Sequence, residues 1–265
     1  MPEVARGAAT LAAAGVDTPR LDAELLLAEA LGVDRTRLFL DASAPVHPAN
    51  LARFQQLIER RVAREPVAYI LGRRDFRRLT LAVDRRVLIP RPETELLVEV
   101  GLSLPTGVRV ADVGTGSGAV ALALKDERPD LDVVGIDLNK DAVAVARDNA
   151  SRLGLDAQFL EGDLLSGLDV RFDAVLANLP YVAEGASLPP EISEWEPASA
   201  LFAGADGLDV IRRLLSQVDG VSLVALEIGF DQGDAVAALV SQAGFGSVER
   251  LRDLAGHERV VVGRR

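Results

Sequence analysis

Apolar positions recur at helical spacing in the first quarter of the chain, and from about residue 107 short apolar runs alternate with amphipathic stretches. Leu21, Leu25, Leu26 and Ala28 follow Asp17-Thr18-Pro19, a capping residue with an early-turn proline, and predict a helix. A second stretch, Asp34 to Leu40, ends before Ala44-Pro45-Val46-His47-Pro48. A longer helix is predicted from Pro48 to Arg64, with Leu51, Phe54, Leu57, Ile58 and Val62 on one face. Residues 1–65 therefore read as a small helical bundle, closed by Pro66. Over residues 66–90 the pattern changes. Val67-Ala68-Tyr69-Ile70-Leu71-Gly72 and Leu79-Thr80-Leu81-Ala82-Val83 are strand-like runs between charged turns, predicting a β-hairpin linker. Pro90 and Pro92 then hold an extended segment ahead of a helix over Glu93–Leu104.

Beyond this point strands are predicted at Val108–Val113, Leu131–Ile136, Ala157–Leu160, Ala174–Ala177 and Val221–Ile228. Helices are predicted at Ala119–Lys125, Asp141–Leu153, Asp209–Val218 and Asp234–Ala243, and Val248–Leu251 with Arg259–Val262 forms a closing pair of strands. This βαβ alternation gives an α/β fold over residues 91–265, a mostly parallel sheet with helices on both faces.

Composition narrows the picture. Hydrophobic residues make up 49% of the 265, enough for a sizeable core, yet no apolar run approaches the roughly 18 residues of a membrane helix. Met1 to Arg6 lacks the basic start and apolar core of a signal peptide, and there is no cysteine, so a cytoplasmic protein without membrane attachment is expected. With His47 and His257 as the only histidines, no metal centre is expected. The net charge of −11 lies wholly in residues 76–265, with 19 Lys/Arg against 30 Asp/Glu, while residues 1–75 balance at ten and ten. An acidic field opposes nucleic-acid binding. Arg73, Arg74, Arg77, Arg78, Arg85 and Arg86 cluster locally, as either a solvated hairpin surface or a binding patch.

Candidate chemistry sits at strand ends. Asp112-Val113-Gly114-Thr115-Gly116-Ser117-Gly118 carries a strand through a glycine turn into a helix, where the backbone can approach a ligand. Asp137 ends the next strand, placed to accept ribose hydroxyls at the carboxyl edge of a doubly wound sheet. The turn reads G-x-G-x-G rather than the dinucleotide G-x-G-x-x-G, and Asp112 would repel a pyrophosphate but attract a cationic amine. S-adenosylmethionine fits these features better than a dinucleotide. Asp163, in Glu161-Gly162-Asp163-Leu164, falls where an adenine ring should lie, or else caps a helix. Asn178-Leu179-Pro180-Tyr181 ends the strand expected beside the first. By itself Asn-x-Pro is an ordinary strand-ending turn. Beside a nucleoside pocket, its carboxamide can accept from a planar nitrogen nucleophile while the ring covers the flat side.

Pro66-Val67-Ala68-Tyr69-Ile70-Leu71-Gly72, Val87-Leu88-Ile89-Pro90-Arg91-Pro92-Glu93-Thr94-Glu95, the Asp112–Gly118 turn and Leu226-Glu227-Ile228-Gly229 together resemble the peptide chain release factor N5-glutamine methyltransferases over nearly the whole chain. The resemblance implies a class I methyltransferase: a Rossmann-like, mostly parallel sheet with an antiparallel strand near the C-terminus, a helical substrate-recognition domain at 1–65, a hairpin linker at 66–90 and the methyltransferase domain at 91–265. It implies a monomer that uses S-adenosylmethionine, releases S-adenosylhomocysteine and methylates the glutamine of the Gly-Gly-Gln motif in class 1 release factors. By position, Asp112, Gly114, Thr115, Gly116, Ser117, Gly118, Asp137, Asp163, Leu164 and Asn178 would hold the cofactor. Asn178, Leu179, Pro180 and Tyr181 would bind the substrate amide and carry catalysis. Three positions depart from the family pattern. Leu179 replaces the first proline of Asn-Pro-Pro-Tyr, keeping the backbone carbonyl but losing the fixed φ. Leu164 stands where an aromatic is frequent, and Arg77-Arg78 replaces an aromatic-glycine pair. Other readings are a ribosomal-protein glutamine methyltransferase, a nucleic-acid amino-methyltransferase acting on a flipped base, and a non-catalytic interaction module.

Overall fold

A computed structural model describes residues 1–40, 45–168 and 170–265, which form two compact units. The first comprises Met1–Arg73 and Leu188–Trp195. Its helices are Pro2–Ala13, Pro19–Leu31, Arg35–Leu40, Pro48–Val62, Val67–Leu71 and the single-turn Pro190–Ser193. The expected segment boundary at Ala44 lies outside the described residues. Leu11, Leu26, Leu27, Leu38, Phe54 and Ile58 form the core of this unit. Beside that core, the buried Arg61 guanidinium pairs with Asp22 at 2.7 Å and Glu191 at 2.8 Å, and Arg64 takes the other Glu191 oxygen at 2.7 Å.

One expectation is overturned here. Val67–Leu71 is a helix, not a strand. Its β-branched and aromatic composition suits a strand, but Pro66 caps the segment and Gly72 closes it in the left-handed conformation at φ 69°. Tertiary burial of Tyr69 and Ile70 settles the choice. The hairpin follows it, as β1 (Arg73–Phe76) and β2 (Leu79–Ala82).

The second unit, Arg74–Ser187 and Glu196–Arg265, is built on a seven-stranded sheet. Its strands are β3 (Arg109–Val113), β4 (Asp132–Asp137), β5 (Gln158–Glu161), β6 (Ala174–Ala177), β7 (Leu223–Glu227), β8 (Ser247–Arg252) and β9 (Glu258–Arg264), in the order β5-β4-β3-β6-β7-β9-β8. β3 to β7 run parallel, and β9 is antiparallel to both β7 and β8. Alternate residues feed two cores. Val110, Val133, Leu176 and Ala225 face one layer, and Ala111, Val134, Val175 and Val224 the other. Because both faces are covered, the central strands are apolar over most of their length, and Ala174–Ala177 is apolar throughout. Helices Glu95–Leu102, Ala119–Glu127 and Lys140–Leu153 contribute to the first layer, Asp209–Leu215 and Gly233–Gln242 to the second.

The arginine cluster of the hairpin is largely neutralised within the chain. Arg77 pairs with Glu127 and Glu99, Arg78 with Asp126 and Glu127, and Arg86 with Asp84. Among the described residues no helix is long and apolar enough to cross a membrane.

Buried Asn149 ties the hairpin to the glycine turn. Its oxygen accepts from the Ala82 amide at 2.8 Å, and its nitrogen donates to the carbonyls of Ala82 and Ser117 at 3.0 and 2.9 Å. Asn149→Ala strands these groups and is expected to cost about 1–3 kcal/mol of stability. Thermal unfolding of the variant measures it, and an unchanged midpoint would show the tie to be dispensable.

Candidate functional site

Sheet register assembles the site. Val113 pairs with Ile136 on one side and with Ala177 on the other, so the next residues, Gly114, Asp137 and Asn178, lie at one level along the carboxyl edge of the sheet. This is where the strand order reverses, β3 leading first to β4 and β5 and later to β6, the location at which open α/β sheets bind ligands. A cavity of about 360 Å³ opens there. Asp112, Gly114 to Ser117, Asp137, Asp163, Leu164 and Asn178 to Pro180 line it.

The glycine turn touches the Asn178 loop directly. Gly114 has φ 76°, and a Cβ built on it would lie 3.1 Å from the Asn178 carbonyl oxygen and 3.2 Å from Leu179 Cδ2. Leu179 is buried in the second core layer, so packing rather than a fixed φ anchors this residue.

The acids are held by backbone amides and burial. Asp137 accepts from the amides of Gly116 and Asn139, each at 2.9 Å. Asp112 accepts through one oxygen from the Thr115 hydroxyl at 2.6 Å and the Ala121 amide at 3.0 Å. Burial pushes the Asp112 carboxyl up to about 6, against those two hydrogen bonds and helped by the nearby Asp137 charge. Burial raises Asp137 as well, opposed by its two amide donors. Asp163 accepts from Arg213 at 2.6 Å, and both are half exposed along the cavity wall. Leu164 lies buried at φ 58°, a left-handed conformation uncommon for a leucine.

The Asn178 carboxamide has a defined orientation. Its Nδ2 donates to the Thr94 hydroxyl oxygen at 3.0 Å. Among the described residues no donor takes its Oδ1 or the Leu179 carbonyl, which leaves two unengaged acceptors on residues that line the cavity.

Two of the expected residues stand behind the lining. Gly118, at φ 82°, begins the helix Ala119–Glu127 and packs toward Leu122, Ala146 and Phe159. Tyr181 is not among the lining residues. Its hydroxyl reaches Glu227 at 3.4 Å, and burial with the Glu227 charge raises its pKa. Sequence reasoning assigned no place in the site to Thr94, Val87, Leu88 or Pro90, which also line the cavity. All four lie in the Val87–Glu95 block, so the block was the available signal. Arg91 anchors it by donating to the buried Glu196 at 2.5 Å.

A mixed seven-stranded sheet ending in a glycine turn, two acids and an asparagine loop defines a class I methyltransferase fold. Residues 4–72 match the family described as PrmC N-terminal domain, and residues 92–193 the one described as methyltransferase small domain. A release factor glutamine methyltransferase from Caulobacter vibrioides is 42% identical over 262 residues, covering 94% of this chain and 91% of its own. One from Geobacter sulfurreducens is 39% identical, covering 96% and 92%. A methyltransferase from Pyrococcus furiosus, solved as a crystal structure and 15% identical, covers 69% of this chain and 87% of its own with a TM-score of 0.53, a likeness of fold. The chain belongs to the release factor glutamine methyltransferase family.

Proposed function

We propose that the chain transfers a methyl group from S-adenosylmethionine to the side-chain amide nitrogen of the glutamine in the Gly-Gly-Gln motif of class 1 release factors. The observation that carries this reading is the fixed Asn178 amide, whose oxygen is left as an acceptor beside the Leu179 carbonyl. Amide nitrogen is a poor nucleophile because its lone pair is delocalised into the carbonyl. Two acceptors bind its two N–H groups, hold it in place and favour the pyramidal geometry in which the lone pair is available. Asparagine and a peptide carbonyl accept but take no proton, so the proton leaves after transfer and no strong base is needed at this position.

The cavity suits the cofactor. Gly114 leaves space that a Cβ would fill, Asp137 offers a carboxylate for ribose hydroxyls, and Asp112 offers one for the α-ammonium group. When bound, S-adenosylmethionine supplies an electrophilic methyl on a sulfonium and departs as S-adenosylhomocysteine. We assign gripping of the release factor to the helical unit.

Cofactor affinity should depend on pH. Both acids have raised pKa values, Asp112 about 6, and each binds its cofactor group as a carboxylate. As pH falls below about 6 Asp112 gains its proton, so Kd should hold steady near neutral pH and weaken by about tenfold per unit below that. Isothermal titration calorimetry across that range checks it, and a flat profile would remove Asp112 from cofactor contact.

Methyl transfer to purified class 1 release factors tests the function, with the motif glutamine replaced as control. Label on the native factor and none on the control is expected. Equal label on both, or none on either, overturns the reading.

A further inference from the structure

The Asn178–Tyr181 loop is pinned at both ends, and the far pin is a side chain that the proposed chemistry does not use. At its start, Ala177 pairs with β3 and β7, and the Asn178 amide donates to Thr94. At its end, Gln232 Nε2 donates to the Tyr181 carbonyl at 2.9 Å. The N–H of the same peptide unit, from Val182, donates to the Leu201 carbonyl at 2.9 Å, and the Val182 carbonyl accepts from the Ala203 amide at 3.0 Å. The planar unit between Tyr181 and Val182 is therefore held on opposite edges. One hydrogen bond would leave it free to pivot; two fix its direction.

Gln232 is itself oriented without ambiguity. Its Oε1 accepts from the Gly229 amide at 2.9 Å, and Nε2 also reaches the Asp206 carbonyl at 3.3 Å. A backbone N–H donates and a backbone carbonyl accepts, so the carboxamide has one arrangement. Room for it comes from Gly207, at φ 74°: a Cβ there would collide with the Tyr181 carbonyl and lie 2.9 Å from Gln232 Nε2. Between the two pins stands Leu179. Pro180 has its φ set by the ring, whereas Leu179 has none. With both ends of so short a loop fixed, few conformations of Leu179 close it. Freeing the far end releases the direction of its carbonyl.

We infer that Gln232 is a positioning residue, which through the Tyr181 carbonyl holds the Leu179 carbonyl in place as the second acceptor for the substrate amide. This rests on the reading of Asn178 and Leu179 as the pair that binds that amide.

Gln232→Glu in the full chain is the central test. A glutamate keeps the acceptor for the Gly229 amide, and its charge is favourable at the start of the helix Gly233–Gln242, so stability should be preserved. It has no N–H for Tyr181 and sets a carboxylate against that carbonyl. Its kcat for release factor methylation is expected to fall roughly tenfold, with the release factor KM and the cofactor Kd from calorimetry within about twofold. A role confined to the Gly229 turn would leave kcat unchanged here, because that bond survives. Gln232→Met, similar in length and lacking both bonds, should show the same fall, and carries the test if the glutamate variant does not fold. Wild-type kcat in either folded variant, with Asn178→Ala inactive, overturns the inference and leaves the reading of Asn178 standing. Normal turnover in Asn178→Ala overturns both.

Discussion

Asn178→Ala is expected to lower kcat by about two to three orders of magnitude while leaving the affinity for S-adenosylmethionine within a few-fold. The side chain lost is an acceptor at the cavity whose other end is tied by a hydrogen bond from Nδ2 to Thr94. What remains is the Leu179 carbonyl, enough to hold one N–H but not to orient the lone pair. The proposed cofactor contacts should survive, because Asp137 keeps its backbone ties to the Gly116 and Asn139 amides. Steady-state turnover on a release factor, read against cofactor binding by calorimetry, separates the two effects. Near-normal kcat would remove Asn178 from the chemistry.

Gly114→Val should damage both quantities together. A valine at φ 76° pays left-handed strain of about 1–3 kcal/mol. Its Cβ would also meet the Asn178 carbonyl at 3.1 Å, a backbone atom that cannot rotate aside. Relief requires the turn and the asparagine loop to move apart. Cofactor Kd is expected to rise at least tenfold, about 1.4 kcal/mol, with kcat reduced beyond measurement and the thermal midpoint lowered by several degrees. Wild-type values for Kd and kcat would show that close approach of these segments is unnecessary. The contrast between the two variants separates loss of a chemical group from loss of the geometry that presents it.

Much of the sheet was legible in the sequence for a physical reason. Parallel strands buried on both faces are mostly apolar, as Ala174–Ala177 is throughout and Val110–Val113 is apart from Asp112. The glycine turn, Asp137 and Asn178 were legible because a doubly wound sheet brings successive strand ends to one edge. Val67–Leu71 was misread because five residues carry too little periodicity to outweigh β-branched content. The Asn149 tie could not be read, since its partners Ala82 and Ser117 are brought to it only by the packed fold. The same holds for Thr94, 84 residues from the amide it accepts, although the block containing it was visible. Leu179 looked like a loss of rigidity. Its burial against Gly114 is a property of the neighbour across the sheet, which no local pattern reports.

The pairings of β3 with β6 and of β6 with β7 have a further consequence. Slipping β6 by one residue would carry Asn178 about 3.3 Å along the strand, and the same slip would turn Val175 and Ala177 out of their core layer. Fidelity of the reaction and burial of the core are thus selected by one constraint. A sequence that folds the middle of this sheet correctly has, in that act, aligned its asparagine with the glycine turn.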